Sequence, residues 1–246
     1  MIDLLRKFVP GPLRPVLRRM LHRPVFEYEP LMRRRMTQIV QPGWVCVDIG
    51  ANIGLITCHL AELVGPGGKV YAFEPHPKTA RLLARKAARF GASVVVEAKA
   101  VTDGSQAYVD FFPGRKHASE EWNVRGEDLD GVPARAELRV PATSLDRYWT
   151  TGGIQLVKID VEGAGDLVFA GMTRILASCR PVLFVEFHND HEWRSRQICH
   201  DAAYAFYDLG GRLIDQTPSS PRVYHCIGLP TERRVAMDSA GRMALE

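Results

Sequence analysis

The stretch Val47-Asp48-Ile49-Gly50-Ala51-Asn52-Ile53-Gly54 limits the fold of this chain more than any other. The apolar run Trp44-Val45-Cys46-Val47 suits a strand covered on both faces, as in a parallel sheet. A helix is expected from about Asn52, with Ile56, Leu60 and Leu63 on one face and Gly65-Pro66-Gly67-Gly68 ending it. A strand that ends in Asp-x-Gly and turns at once into a helix leaves free backbone N–H groups and the positive end of the helix dipole pointing out of the sheet. Glycine suits position 50 because a Cβ would obstruct a ligand and because φ there can be positive. Gly54 is expected to let the helix pack against the strand. The spacing is G-x-x-x-G, not the G-x-G-x-x-G of dinucleotide phosphate binding.

The same rhythm continues downstream. Residues 69–73 read as a second strand, and Pro77 opens a helix lined by Leu83, Ala87 and Phe90 and closed by Gly91. Residues 93–96 read as a third strand. Strand, helix, strand, helix, strand is half of a doubly wound sheet, and right-handed crossovers put the first strand at its centre. Residues 103–140 break the rhythm and are expected as an insertion of hairpins and loops over the site. Alternation resumes with a strand at 155–159, a helix at 166–177, a strand at 181–187, a helix at 194–209 and strands near 212–216 and 222–227. Residues 1–43 carry prolines that break helical runs into short pieces and read as a basic, helical extension or lid, so the main domain is expected over 44–246.

With 246 residues, 46% hydrophobic and 24% charged, the chain can bury one substantial core, which excludes disorder and fibrous repeats. No apolar stretch approaches the roughly 20 residues of a spanning helix. The net charge of +4 is concentrated at the start, where residues 1–35 hold nine Lys/Arg against three Asp/Glu. The rest is not basic, which argues against a nucleic-acid partner; Arg14, Arg18, Arg19, Arg23 and Arg33-Arg34-Arg35 either form a solvated face or touch an anionic surface. The five cysteines show no metal-binding spacing, and a reducing cytoplasm is expected.

Glu74 ends the second strand, where an open α/β sheet presents an acid to a ribose diol. Two hydroxyls donating to one carboxylate make charge-assisted hydrogen bonds. A ribose ligand without a pyrophosphate fits S-adenosylmethionine, its amino-acid end over the Gly50 turn and its ribose on Glu74.

Five motifs follow in order: Val47 to Gly54, Ala72-Phe73-Glu74-Pro75-His76-Pro77, Ala100-Val101-Thr102-Asp103, Thr143-Ser144-Leu145-Asp146, and Val157-Lys158-Ile159-Asp160-Val161-Glu162-Gly163-Ala164. With Tyr28-Glu29-Pro30 upstream and Phe184-Val185-Glu186-Phe187-His188 downstream, the chain resembles the FkbM family of S-adenosylmethionine-dependent methyltransferases over residues 28–190. The resemblance implies a class I methyltransferase fold: a three-layer αβα, Rossmann-like arrangement of seven strands, mostly parallel with the last antiparallel. It maps the cofactor site onto Asp48, Gly50, Ala51, Asn52, Gly54, Glu74 and Pro75, with Ala100 near the adenine; Asp160, ending the strand beside the first, is expected to open onto the crevice where the methyl group is presented. In one departure, the family's acidic residue after Gly163-Ala164 is here Gly165, followed by Asp166. If that acid caps the next helix, Asp166 substitutes for it; if it positions substrate, specificity has shifted.

Methyl transfer from a sulfonium is an in-line displacement, so alignment and removal of the hydroxyl proton are the enzyme's main tasks. Asp160 is expected to orient or deprotonate the acceptor, with Glu162, Glu186 or His188 assisting. Alternatively, Asp160 helps to hold cofactor and Glu162 braces a loop. The four residues also offer hard oxygen ligands and an imidazole to a divalent cation, although no ligand spacing calls for one and no metal is assigned. His191 reads as a solvated loop residue. Phe111, Phe112, His117, Trp122 and Trp149 form either an acceptor pocket or the insertion's own core.

The expected function is O-methylation of a hydroxyl on a small molecule, sugar or secondary metabolite. The acceptor would be a small molecule or a glycan, and a homo-oligomer stays open. The alternatives are a nicotinamide-dependent oxidoreductase and a non-catalytic nucleoside-binding module.

Overall fold

The computed structural model describes residues 24–112, 124, 138–188, 190–214, 225–233, 235–237 and 241–245. Seven strands form the central sheet: β1 (Val45–Ile49), β2 (Lys69–Phe73), β3 (Val94–Glu97), β7 (Leu156–Ile159), β8 (Val182–Glu186), β9 (Tyr204–Asp208) and β10 (His225–Pro230). Their order is β3-β2-β1-β7-β8-β10-β9. β10, the last of the seven along the chain, runs antiparallel to both neighbours, as expected of the class I methyltransferase fold. The strand order reverses between β1 and β7, so the crevice for a ligand opens at their carboxyl ends.

Alternation along the strands sorts side chains between two cores. Val47, Ile49, Val157 and Ile159 pack on one face with Val168, Phe169, Ile175 and Trp193. Cys46, Val70, Leu156 and Phe184 pack on the other with Leu60 and Met36. The first face is covered by α4 (Leu145–Tyr148), α5 (Gly165–Ala170), α6 (Thr173–Ser178) and α7 (Asp190–Asp201). The second is covered by α1 (Pro24–Ile39), α2 (Leu55–Val64) and α3 (Pro77–Ala87).

Several elements differ from expectation. One helix, α1, runs through Pro30 instead of breaking there, and its Met32, Met36 and Ile39 are buried. Each such burial contributes about 1.5–3 kcal/mol, and together they outweigh the roughly 3 kcal/mol cost of an interior proline. Residues 1–23 of the expected extension lie outside the described residues.

Helix α2 starts at Leu55 and not near Asn52, because Ala51 to Gly54 form a turn that ends with Gly54 at φ 85°. A Cβ on Gly54 would meet Leu83 of α3 at 2.4 Å, so this glycine admits the neighbouring helix instead of a strand. The helix expected over 166–177 is two helices, broken where a Cβ on Gly171 would come 2.0 Å from the Thr102 carbonyl. The helix expected over 194–209 ends at Asp201, and Ala203 at φ 56° leads into β9. Tyr204 and Phe206 alternate inward along β9, and this period-2 pattern overrides the helical reading. Of the strand expected at 212–216, only a single bridge from Leu213 to Tyr207 forms among the described residues.

Within the insertion, β5 (Tyr108–Phe111) pairs with β6 (Leu138–Thr143), which also pairs with β4 (Ala100–Val101). His117 and Trp122 lie outside the described residues. Trp149 stacks edge-on against Tyr71 at 4.6 Å and joins the core instead of the cleft. β11 (Val235–Met237) and β12 (Met243–Leu245) form a separate hairpin, and β12 packs on α1. No helix among the described residues is long and apolar enough to cross a membrane.

Candidate active site

A cleft opens where β1, β2 and β7 end, lined by residues including Gly50, Asn52, Glu74, Pro75, Ala100, Asp160 and Glu162. Its first wall is built by the main chain. Gly50 has φ 72°, and a Cβ there would meet the Asp160 carbonyl at 1.7 Å, so glycine lets the β1 turn lie against the end of β7. The N–H groups of Gly50 and Ala51 both donate to the Phe73 carbonyl at 3.0 Å. Glu74 locks this arrangement. Its Oε2 accepts the N–H of Asn52 at 2.9 Å and its Oε1 accepts the N–H of His76 at 2.8 Å. Burial pushes the Glu74 carboxyl above its ordinary range, while the two backbone donors oppose that shift. Each oxygen keeps a further lone pair for a hydroxyl donor.

Beneath the turn lies a charge network that the sequence reading did not anticipate. Asp48 and Lys158 are register partners on β1 and β7, hence on one face. Asp48 is fully buried, accepts from Thr57 Oγ1 at 2.6 Å and lies 3.3 Å from Lys158 Nζ. Lys158 also donates to the Gly50 carbonyl at 3.0 Å and reaches Asp160 Oδ2 at 3.3 Å. Burial opposes its charge, but Asp48, Asp160 and Glu186 outweigh that and hold its pKa above the ordinary value. Asp48, Ala51 and Gly54 therefore shape the cradle from behind; none of them lines the cleft.

The second wall is assembled from side chains. The register Ile159↔Val185 brings Asp160 level with Glu186, and Glu186 pairs with His225 across β10. Glu162 sits at φ 48° where the chain turns, yet it still lines the cleft beside Asp160. His188 Nε2 lies 3.4 Å from Asp160 Oδ1, 3.6 Å from Glu162 Oε2 and 3.5 Å from Glu186 Oε1. All four expected acceptor-side residues thus converge, although Glu186 and His188 stand behind the cleft wall and do not form it.

Burial opposes ionisation of Asp160, but Lys158 and His188 outweigh it and hold the carboxyl below its usual range. Burial, reinforced by Asp160, pushes Glu186 up to about 8. Burial also works against a charged His188, but Glu192 beside its Nδ1 and the surrounding carboxylates raise it to about 10. His225 drops to about 4, chiefly through burial.

Glu192 and His225 also escaped the sequence reading. Glu192, fully buried on α7, accepts the N–H of Gly165 at 2.8 Å and that of His188 at 2.6 Å. A carboxylate from α7 therefore meets the start of α5, alongside Asp166 in that helix's own first turn, which stands 3.6 Å from His191. His225 stacks on Tyr28 of α1 with ring centroids 4.7 Å apart, which brings the Tyr28-Glu29-Pro30 motif to this end of the site. The one available signal was Lys158, a lysine inside an otherwise apolar buried strand, which demands counter-charges.

A sheet with this strand order and a glycine turn facing an acid at the end of β2 defines the methyltransferase class. The family model described as methyltransferase FkbM domain matches residues 48–213. The chain belongs to the FkbM methyltransferase family, whose methyl donor is S-adenosylmethionine. It is 30% identical over 159 residues to the 31-O-demethyl-FK506 methyltransferase FkbM of Streptomyces tacrolimicus, covering 54% of this chain and 61% of that protein. It is 41% identical over 81 residues to a protein-L-isoaspartate O-methyltransferase of Aeropyrum pernix, covering 32% of this chain and 31% of that protein. The matches thus span about a third to three-fifths of these relatives' lengths. The crystal structure of a methyltransferase FkbM from Methylobacillus flagellatus superimposes with a TM-score of 0.48 at 17% identity, covering 77% of this chain and 43% of that one.

Proposed function

We propose that this chain transfers a methyl group from S-adenosylmethionine to a hydroxyl of a small molecule or sugar. One observation carries the reading: a single cleft joins the Gly50–Glu74 turn to the carboxylates of Asp160 and Glu162. Glu74 would take the ribose diol on its free lone pairs, the turn from Gly50 to Asn52 would face the amino-acid end, and Pro75 and Ala100 would flank the adenine side. S-adenosylmethionine supplies an electrophilic methyl carbon. Asp160 orients the acceptor hydroxyl and takes its proton as the oxygen–carbon bond forms and the carbon–sulfur bond breaks. Glu162 lines the acceptor's path, while Glu186 and His188 fix Asp160 from behind. Five free cysteines fit a reducing cytoplasm as the compartment.

The test is titration of the full chain with S-adenosylhomocysteine and, separately, with NADH, followed by turnover on a panel of hydroxyl acceptors. Heat with the first and none with the second supports the reading. Heat only with NADH would favour an oxidoreductase, and nucleoside binding without turnover on any acceptor a non-catalytic module.

A further inference from the structure

We propose that Asp160 Oδ1, Glu186 Oε1 and His188 Nε2 form a binding site for a hard divalent cation such as magnesium or manganese. The three donor atoms lie within 4.8 Å of one another. Carboxylates gathered at strand ends would not by themselves make a site; His188 makes the difference. Its side chain is 10% exposed, and its Nε2 points at the carboxylates across 3.4 and 3.5 Å without a hydrogen bond. Those gaps exceed the ~2.7–3.2 Å of an N–H···O bond. Around magnesium, with bonds of about 2.0–2.1 Å, adjacent ligands stand roughly 1.4 bond lengths apart, so binding would draw these donors together by about half an ångström.

Outer contacts orient all three donors. His188 Nδ1 faces the fully buried Glu192 at 3.3 Å, the carboxylate partner that a metal-ligating imidazole usually has on its second nitrogen. Lys158 engages the other oxygen of Asp160, leaving Oδ1 toward His188. His225 Nδ1 stands 3.5 Å from Oε2 of Glu186, leaving Oε1 toward the same point. Two carboxylates and one imidazole suit manganese or magnesium, the cation displacing the proton from His188 Nε2, with remaining positions open to oxygen ligands. Asp160 also lines the cleft, so the cation would meet an acceptor hydroxyl there and lower its pKa. That use rests on the proposed methyl transfer; cation binding itself does not.

The experiment titrates chelator-treated full-length protein with Mn²⁺, following the loss of the free-ion electron paramagnetic resonance signal. Saturation at one manganese per chain is expected, with competition by Mg²⁺. Glu186→Gln and His188→Gln should each weaken binding more than about tenfold, while the surface change Glu62→Gln leaves it unaltered. Absence of saturable binding up to about 1 mM overturns the proposal, as does binding undiminished in both variants. Should the variants not fold, pulsed resonance on the wild-type complex decides: nitrogen coupling from one imidazole supports the site and its absence removes it. S-adenosylhomocysteine binding, measured in parallel, separates failure of the cation site from failure of the methyl-donor reading.

Discussion

The two ends of the cleft are held by different physics. At the end proposed for the methyl donor, Glu74 and the Gly50 turn are fixed by backbone hydrogen bonds of 2.8–3.0 Å. At the end proposed for the acceptor, His188 faces Asp160, Glu162 and Glu186 across 3.4–3.6 Å, positioned by strand register and by Glu192 behind it. Main-chain geometry tolerates few alternatives, which suits a site for one fixed ligand. A side-chain cluster is set by the balance of its charges and changes with whatever enters it. Between the two lies Lys158, which touches both.

Removing that link should have the largest effect. Lys158→Met leaves Asp48 fully buried without its counter-charge, and loss of one partner of a buried pair costs about 3–5 kcal/mol. Chemical denaturation should show that loss, with both ends of the cleft impaired together. Asp160→Asn should separate the ends: turnover falls by about 10²–10⁴ while S-adenosylhomocysteine affinity stays within about threefold. Equal losses of both would assign Asp160 to donor binding. Glu74→Gln is the converse, because an amide must point its NH₂ at the N–H of Asn52 or His76. Calorimetry should give about tenfold to hundredfold weaker S-adenosylhomocysteine binding, the scale of a charge-assisted hydrogen bond. Glu192→Gln should lower turnover about tenfold through the orientation of His188 without changing donor affinity, and should cost stability as well, because its amide must face the N–H of Gly165 or His188. A change confined to donor affinity would place Glu192 in the wrong half.

The donor end was legible because its constraints are local. A glycine that must approach a neighbouring strand, and an acid that ends the next strand, leave their mark as spacing between Gly50 and Glu74. The acceptor end was legible in its members, since Asp160, Glu186 and His188 all stand at strand ends on the crevice side. Its support was not. Glu192 lies in a polar helix with nothing in its neighbours to mark it, and it meets Gly165 only through the packing of α7 on α5. The break at Gly171 depends on the Thr102 carbonyl, distant in sequence. The misread helix over 194–209 shows period 2 overtaking period 3.6 only from Tyr204 onward.

The central claim is that Glu74 receives the ribose of a methyl-donor nucleoside while Asp160 serves the acceptor. Isothermal titration of wild-type, Glu74→Gln and Asp160→Asn proteins with S-adenosylhomocysteine tests it most directly. One site per chain is expected, weakened about tenfold or more by the change at Glu74 and nearly untouched by the change at Asp160. No heat from the wild-type protein, or equal weakening in both variants, would contradict it.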